Sequence, residues 1–76
     1  MITIDVRTPD EYATGHYPDA MNHELDLMMQ GTFPDVPKDT EIKLYCRSGG
    51  RSGMAKQLME QAGFTNVTNI GGYTPQ

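Results

Sequence analysis

One cysteine in 76 residues leaves this chain without a disulfide to staple it. At this size a hydrophobic core rarely supplies more than about 3–5 kcal/mol, and small chains usually add disulfides, a metal or a partner subunit. Cys46, His16 and His23 do not form the paired Cys/His array that encloses structural zinc, so no metal site is expected. One small domain spanning residues 1–76 is all that fits.

The longest apolar cluster, Leu25 to Met29, is interrupted by Asp26. It falls far short of the roughly 20 apolar residues a membrane helix requires, so no membrane partner is expected. No basic segment followed by an apolar run opens the chain, which as given reads as soluble and cytoplasmic. A leader removed beforehand would leave no trace and would place it in the periplasm. A formal net charge of −4 argues against non-specific nucleic-acid binding, which depends on Lys and Arg neutralising phosphates. The charge is unevenly placed. Residues 1–45 carry nine acids against Arg7, Lys38 and Lys43, whereas residues 46–76 carry Arg47, Arg51 and Lys56 against Glu60. The positive excess begins at the only cysteine.

Ile2 to Val6 alternates and is rich in β-branched residues, the pattern of a strand. Thr8-Pro9-Asp10-Glu11 fits a helix start, with Thr8 as N-cap, Pro9 at the first helical position and Glu11 closing a capping box. Gly15 to Asp19 is a turn, Ala20 to His23 a brief extended segment, and Glu24–Gln30 a second helix stopped by Gly31. After a loop from Phe33 to Thr40, residues 41–45 form a strand that ends at Cys46. From Ser52 the apolar stripe Met54, Ala55, Leu58, Met59 and Ala62 marks an amphipathic helix, with Gly63 as its stop. Met28, Met29, Met54 and Met59 are expected in the core. A last strand centres on Val67, and Gly71-Gly72 is expected to turn the chain away. Strands alternating with helices predict an α/β fold with a mostly parallel sheet, helices on both faces, and ligands beyond the carboxyl ends of the strands.

Cys46-Arg47-Ser48-Gly49-Gly50-Arg51-Ser52 links a strand to a helix and reads as a cradle. Two glycines allow positive φ, so successive N–H groups can converge, and the helix start adds unpaired donors and a positive dipole end. A cysteine in that ring would be held as thiolate, a nucleophile at neutral pH. The plainer reading is a small buried hydrophobe at a strand end. The glycines, two arginines and a helix start within six residues favour the reactive one.

Four segments in register resemble the rhodanese family of sulfurtransferases: Ile4-Asp5-Val6-Arg7; Glu11-Tyr12 with Gly15 to Ala20; Tyr45 to Ser52 with Ala55; and Gly63 to Val67 leading to Gly71-Gly72. The resemblance covers nearly the whole chain and is closest to small single-domain thiosulfate sulfurtransferases, including the bacterial phage-shock type. It implies a small rhodanese-like fold and two-step sulfur transfer through a Cys46 persulfide, with thiosulfate as donor and cyanide or a thiol as acceptor, and with no cofactor. The amides from Arg47 to Ser52 would hold the persulfide anion, so Arg47, Ser48, Gly49, Gly50, Arg51 and Ser52 are the substrate-binding candidates. Arg47 and Arg51 would orient the dianion, although Arg51 could instead be structural, held by an acid such as Asp5. Asp5, Arg7 and Glu11 are assigned supporting roles, Asp5 and Arg7 bracing loop backbone or pairing with Glu11, because persulfide transfer needs no carboxylate base. His16 is expected to make a turn hydrogen bond, and Asn66-Val67-Thr68, a glycosylation-like triplet, is read as strand sequence.

Two alternatives remain. Cysteine phosphatases and arsenate reductases use a C-x5-R loop, but Arg51 gives C-x4-R and Ser52 stands where the arginine would be. A persulfide relay module serving a dedicated protein partner shares the same loop. Within the turn, Tyr17 and Asp19 replace the family's commoner Ile and Gly, read as a mild change near the surface. The ends are shorter than the family pattern and carry no Trp, so exposed sheet edge and weak self-association are expected.

Overall fold

The computed structural model describes residues 1–74. Four strands, β1 (Ile2–Asp5), β2 (Met21–Asn22), β3 (Ile42–Cys46) and β4 (Val67–Gly72), form one sheet in the order β2-β1-β3-β4. Every pairing is parallel. The connections contain α1 (Pro9–Ala13), α2 (Leu25–Met29) and α3 (Gly50–Gln61). Among the described residues no helix is long and apolar enough to cross a membrane.

Parallel pairing puts alternate residues of neighbouring strands on one face. Ile4 and Val6, Ile42, Leu44 and Cys46, and Val67 share the face that packs against Leu25 and Met28 of α2 and Ala55 and Met59 of α3. Of the four methionines expected in the core, Met28 and Met59 are there. Met29 and Met54 are exposed, because they lie on the outer sides of their helices. Helices on both faces are not found among the described residues. Helix α1 buries no residue, and on the opposite face Thr3 and Lys43 are half-buried while Thr68 and Ile70 are exposed. That face is covered at its carboxyl end by rings instead: Tyr17 packs edge-on against Tyr45 and Tyr73, with centroids 4.7 and 4.9 Å apart.

Helix α1 starts as its sequence dictates. The Thr8 hydroxyl accepts from the Glu11 amide and the Glu11 carboxylate accepts from the Thr8 amide, with Pro9 at the first helical position. Helix α3 ends at Gly63, which adopts φ 103°. One expectation fails at the end of the chain. Gly71 and Gly72 do not turn away but continue β4. Leu44 pairs with Asn69 and Cys46 with Gly72, so β4 carries one extra residue, and Gly71 absorbs it at φ 95°. Gly72 then lies against the loop after Cys46: a Cβ there would overlap the Arg47 carbonyl oxygen and stand 3.4 Å from the Ser48 Cα.

Candidate functional site

Cys46 is the last residue of β3 and is buried. The chain rises from it through Arg47 and Ser48 to Gly49, whose φ of 97° only glycine adopts freely, and Gly49 is the N-cap of α3. No side chain caps this helix. The Cys46 Sγ takes that place, accepting from the Gly49 amide at 2.9 Å. The Ser52 hydroxyl, in the first turn of α3, lies 3.5 Å from the same sulfur. Burial by itself would push the thiol up. The hydrogen bond available from the Ser52 hydroxyl, with those from the amides of Ser52, Ser48 and Gly49, outweighs it and brings Cys46 down to about 7. The buried cysteine and the reactive cysteine of the two sequence readings are thus compatible.

The two arginines reach around the outside. Arg51 Nη1 and Nη2 donate to the two Glu11 carboxylate oxygens at 2.7 and 3.0 Å, a bidentate pair. Arg47 Nε stands 3.4 Å from the same carboxylate but is 71% exposed. The Arg51 guanidinium holds the Glu11 carboxyl well below the usual carboxylate range. Arg51 is therefore held by Glu11 and not by Asp5. A shallow cleft beside Arg51, lined also by Val6, Thr8, Glu24, Leu25 and Asp26, adjoins the loop without including Cys46.

Asp5 and Arg7 pair with each other. Arg7 Nη2 and Nε reach the buried Asp5 carboxylate at 2.7 and 3.1 Å, and Nη2 also donates to the Gly15 carbonyl at 2.7 Å. Neither contacts Glu11 or braces the Cys46 loop directly, because alternation turns both to the sheet face opposite the sulfur. Arg7 ties down the turn that leads to Tyr17 through the Gly15 carbonyl, and its guanidinium lies over the rings of Tyr45 and Tyr73. His16 Nδ1 faces the Tyr12 carbonyl at 2.8 Å, the expected turn hydrogen bond, and its ring stacks on Tyr12. Because a carbonyl only accepts, Nδ1 carries the proton.

Three contributors were not legible beforehand. Tyr17, read as a mild surface change, donates from its hydroxyl to the Gly72 carbonyl at 3.1 Å and so holds the strand end against the loop. Asp19 adopts φ 66°, a conformation that Asp tolerates better than most side chains. Asn69 donates to the Gly49 carbonyl at 3.1 Å and accepts from the Ser52 hydroxyl at 2.7 Å and the Gly71 amide at 2.9 Å. A short polar residue two places before the glycine pair was the only available signal.

The sequence profile of the rhodanese-like domain matches residues 1–75. The chain belongs to the rhodanese-like domain family. This rhodanese-like domain is 39% identical over 70 residues to the thiosulfate sulfurtransferase PspE of Escherichia coli, covering 91% of the chain and 67% of that protein. It is 38% identical over 72 residues to a sulfurtransferase of Allochromatium vinosum, covering 95% and 66%. Among solved structures, a rhodanese with anions from E. coli superposes with a TM-score of 0.82 at 35% identity, covering 93% of this chain and 85% of that one. The domain thus spans about two thirds of the length of these curated relatives.

Proposed function

We propose that this rhodanese-like domain is a thiosulfate sulfurtransferase that carries sulfur on Cys46. The observation that carries the reading is the Cys46 sulfur seated on the Gly49 amide at the start of α3, titrating near 7. The relatives named as sulfurtransferases support the same class of reaction. The Cys46 thiolate attacks the outer sulfur of thiosulfate. A Cys46–sulfur bond forms, the thiosulfate S–S bond breaks, and its electron pair leaves on sulfite. Cyanide or a thiolate then attacks the outer sulfur of the persulfide and returns the Cys46 thiolate, so each half-reaction conserves charge. The Gly49 amide, with those of Ser48 and Ser52 beside it, would hold the anionic sulfur of the thiolate and of the persulfide in turn. Arg51 and Arg47 draw the thiosulfate dianion, moderated by Glu11, which already opposes part of their charge.

The test is mass spectrometry of the intact protein. Thiosulfate is expected to add one sulfur atom, and cyanide to remove it with release of thiocyanate. No adduct on the wild type, or equal thiocyanate formation by Cys46→Ser, would sink the proposal. Hydrolysis of an aryl phosphate dependent on Cys46 would point to phosphoryl transfer instead. Sulfur transfer to a protein much faster than to cyanide would assign the domain to a relay. Because the thiolate is the nucleophile, the first half-reaction is expected to rise with pH and reach half its limit near 7, where Cys46 titrates. A midpoint at the ordinary thiol value of about 8.5 would show that the cradle does not act on the sulfur.

A further inference from the structure

The Ser52 hydroxyl has one proton and four acceptors within reach: Asn69 Oδ1 at 2.7 Å, the Gly49 carbonyl at 3.2 Å, and Cys46 Sγ and the Gly71 carbonyl at 3.5 Å each. Simple donor and acceptor counting assigns it. The Gly71 amide only donates, which fixes the Asn69 atom facing it as the oxygen; the Gly49 carbonyl only accepts, which fixes the other as the nitrogen. An amide oxygen cannot donate, so at 2.7 Å the Ser52 proton points at Asn69. The Gly49 carbonyl already receives the Gly53 amide and the Asn69 Nδ2, filling both lone pairs. The Gly71 carbonyl is at the outer limit of distance for an oxygen. The contest for this proton lies between Asn69 and the Cys46 sulfur.

We propose that Asn69 is a positioning residue for sulfur transfer acting through Ser52: it holds the Ser52 proton while the Cys46 sulfur is neutral and yields it, by rotation of the O–H bond alone, when negative charge builds there. The inference rests on Cys46 being the sulfur carrier. A neutral hydrogen bond to Asn69 is exchanged for one to a charged sulfur, the stronger kind, and no heavy atom moves. Asn69 is suited to this because its other two bonds, to Gly49 and Gly71, tie it to the loop and to the bulge of β4. The charged groups around Cys46 are Arg47 in the loop, Arg51 of α3 paired with Glu11 of α1, Glu24 and Asp26 beside Arg51, and the Asp5–Arg7 pair at the end of β1. Strand β4 contributes no titratable group. Neutral substitutions at Asn69 and Ser52 leave all of these in place.

The test is the pH dependence of Cys46 alkylation by iodoacetamide in the wild type, Asn69→Leu, Ser52→Ala and the double variant, each checked for folding by circular dichroism. Asn69→Leu removes the competing acceptor, so the midpoint is expected to fall by about half a pH unit to one pH unit, the size of one neutral hydrogen bond. In the Ser52→Ala background the same substitution is expected to move it negligibly. An equal shift in both backgrounds, or a rise in the Asn69→Leu variant, would overturn the proposal and make Asn69 a staple of the loop only. If Asn69→Leu does not fold, Asn69→Ala removes the same acceptor with less bulk and carries the same expectation. Alkylation does not require turnover. A wild type that forms no thiocyanate while this coupling persists would sink the sulfur-transfer reading and leave the control of the thiolate by Asn69 standing.

Discussion

Gly72 shows how a residue with no side chain can be essential to a site made of backbone. Its Cβ position is taken by the Arg47 carbonyl, so the end of β4 forms the floor on which the first residues of the Cys46 loop rest. Gly72→Ala must push that loop outward, an overpacking that costs about 1–3 kcal/mol. The cost falls on the segment whose amides hold the sulfur. The alanine variant is therefore expected to melt at a lower temperature and to lose much of its sulfur transfer, with its alkylation midpoint moved up from about 7 toward the ordinary thiol value. Retention of the wild-type midpoint in a folded Gly72→Ala protein would mean that the loop adapts elsewhere. The need for glycine at this position comes from a contact across 25 residues of chain, and the sequence pattern offered only a turn.

Helices α1 and α3 meet through charge and not through apolar packing. Helix α1 is only five residues long and buries none of them, yet its Glu11 serves both its own capping box and Arg51 of α3. Arg51 depresses the Glu11 carboxyl below its unfolded value. The stability it contributes is present above the unfolded carboxylate range, near pH 4.3, and is lost as pH falls through the lower folded value. Thermal unfolding followed from about pH 5 downward is expected to show this loss, with a shallower dependence in Glu11→Gln. At neutral pH the substitution is expected to cost about 1–2 kcal/mol, combining the pair with the loss of a charge-assisted cap. With Glu11 neutral, Arg47 and Arg51 bear on the sulfur unopposed. Alkylation of Cys46 is expected to become half-complete at a lower pH in that variant.

The whole molecule has little stability in reserve. A domain of this length holds roughly 4–11 kcal/mol by the usual per-residue range. Its buried Asp5–Arg7 pair supports the Tyr17, Tyr45 and Tyr73 rings that close the sheet face opposite α2 and α3. Removing one partner of a buried pair typically costs about 3–5 kcal/mol, because a charge is left without compensation. Arg7→Met is therefore expected to lose a large share of that stability, read as a much lower melting temperature by circular dichroism. Adding Asp5→Asn, which removes the orphaned charge, should recover part of the lost stability. A double variant less stable than Arg7→Met would show that the pair acts through geometry and not through charge.

Local chemistry in the chain was enough to give the parallel α/β order, the capping box at Thr8 and Glu11, and the Cys46 to Ser52 cradle. Each rests on interactions within about one turn or one loop, where spacing and residue type act directly. The partners across the sheet were not legible: Glu11 for Arg51, Tyr17 under Gly72, and Asn69 over Ser52 and Gly49. The first depends on how α1 and α3 meet, and the other two on how far β4 advances past β3, a register set by a single extra residue at Gly71. A bulge of this kind is settled by packing among strands far apart in the chain. The lone cysteine stood out as a candidate from its neighbours in sequence; the Ser52 hydroxyl and Asn69 were brought beside it as a connected pair only by the fold.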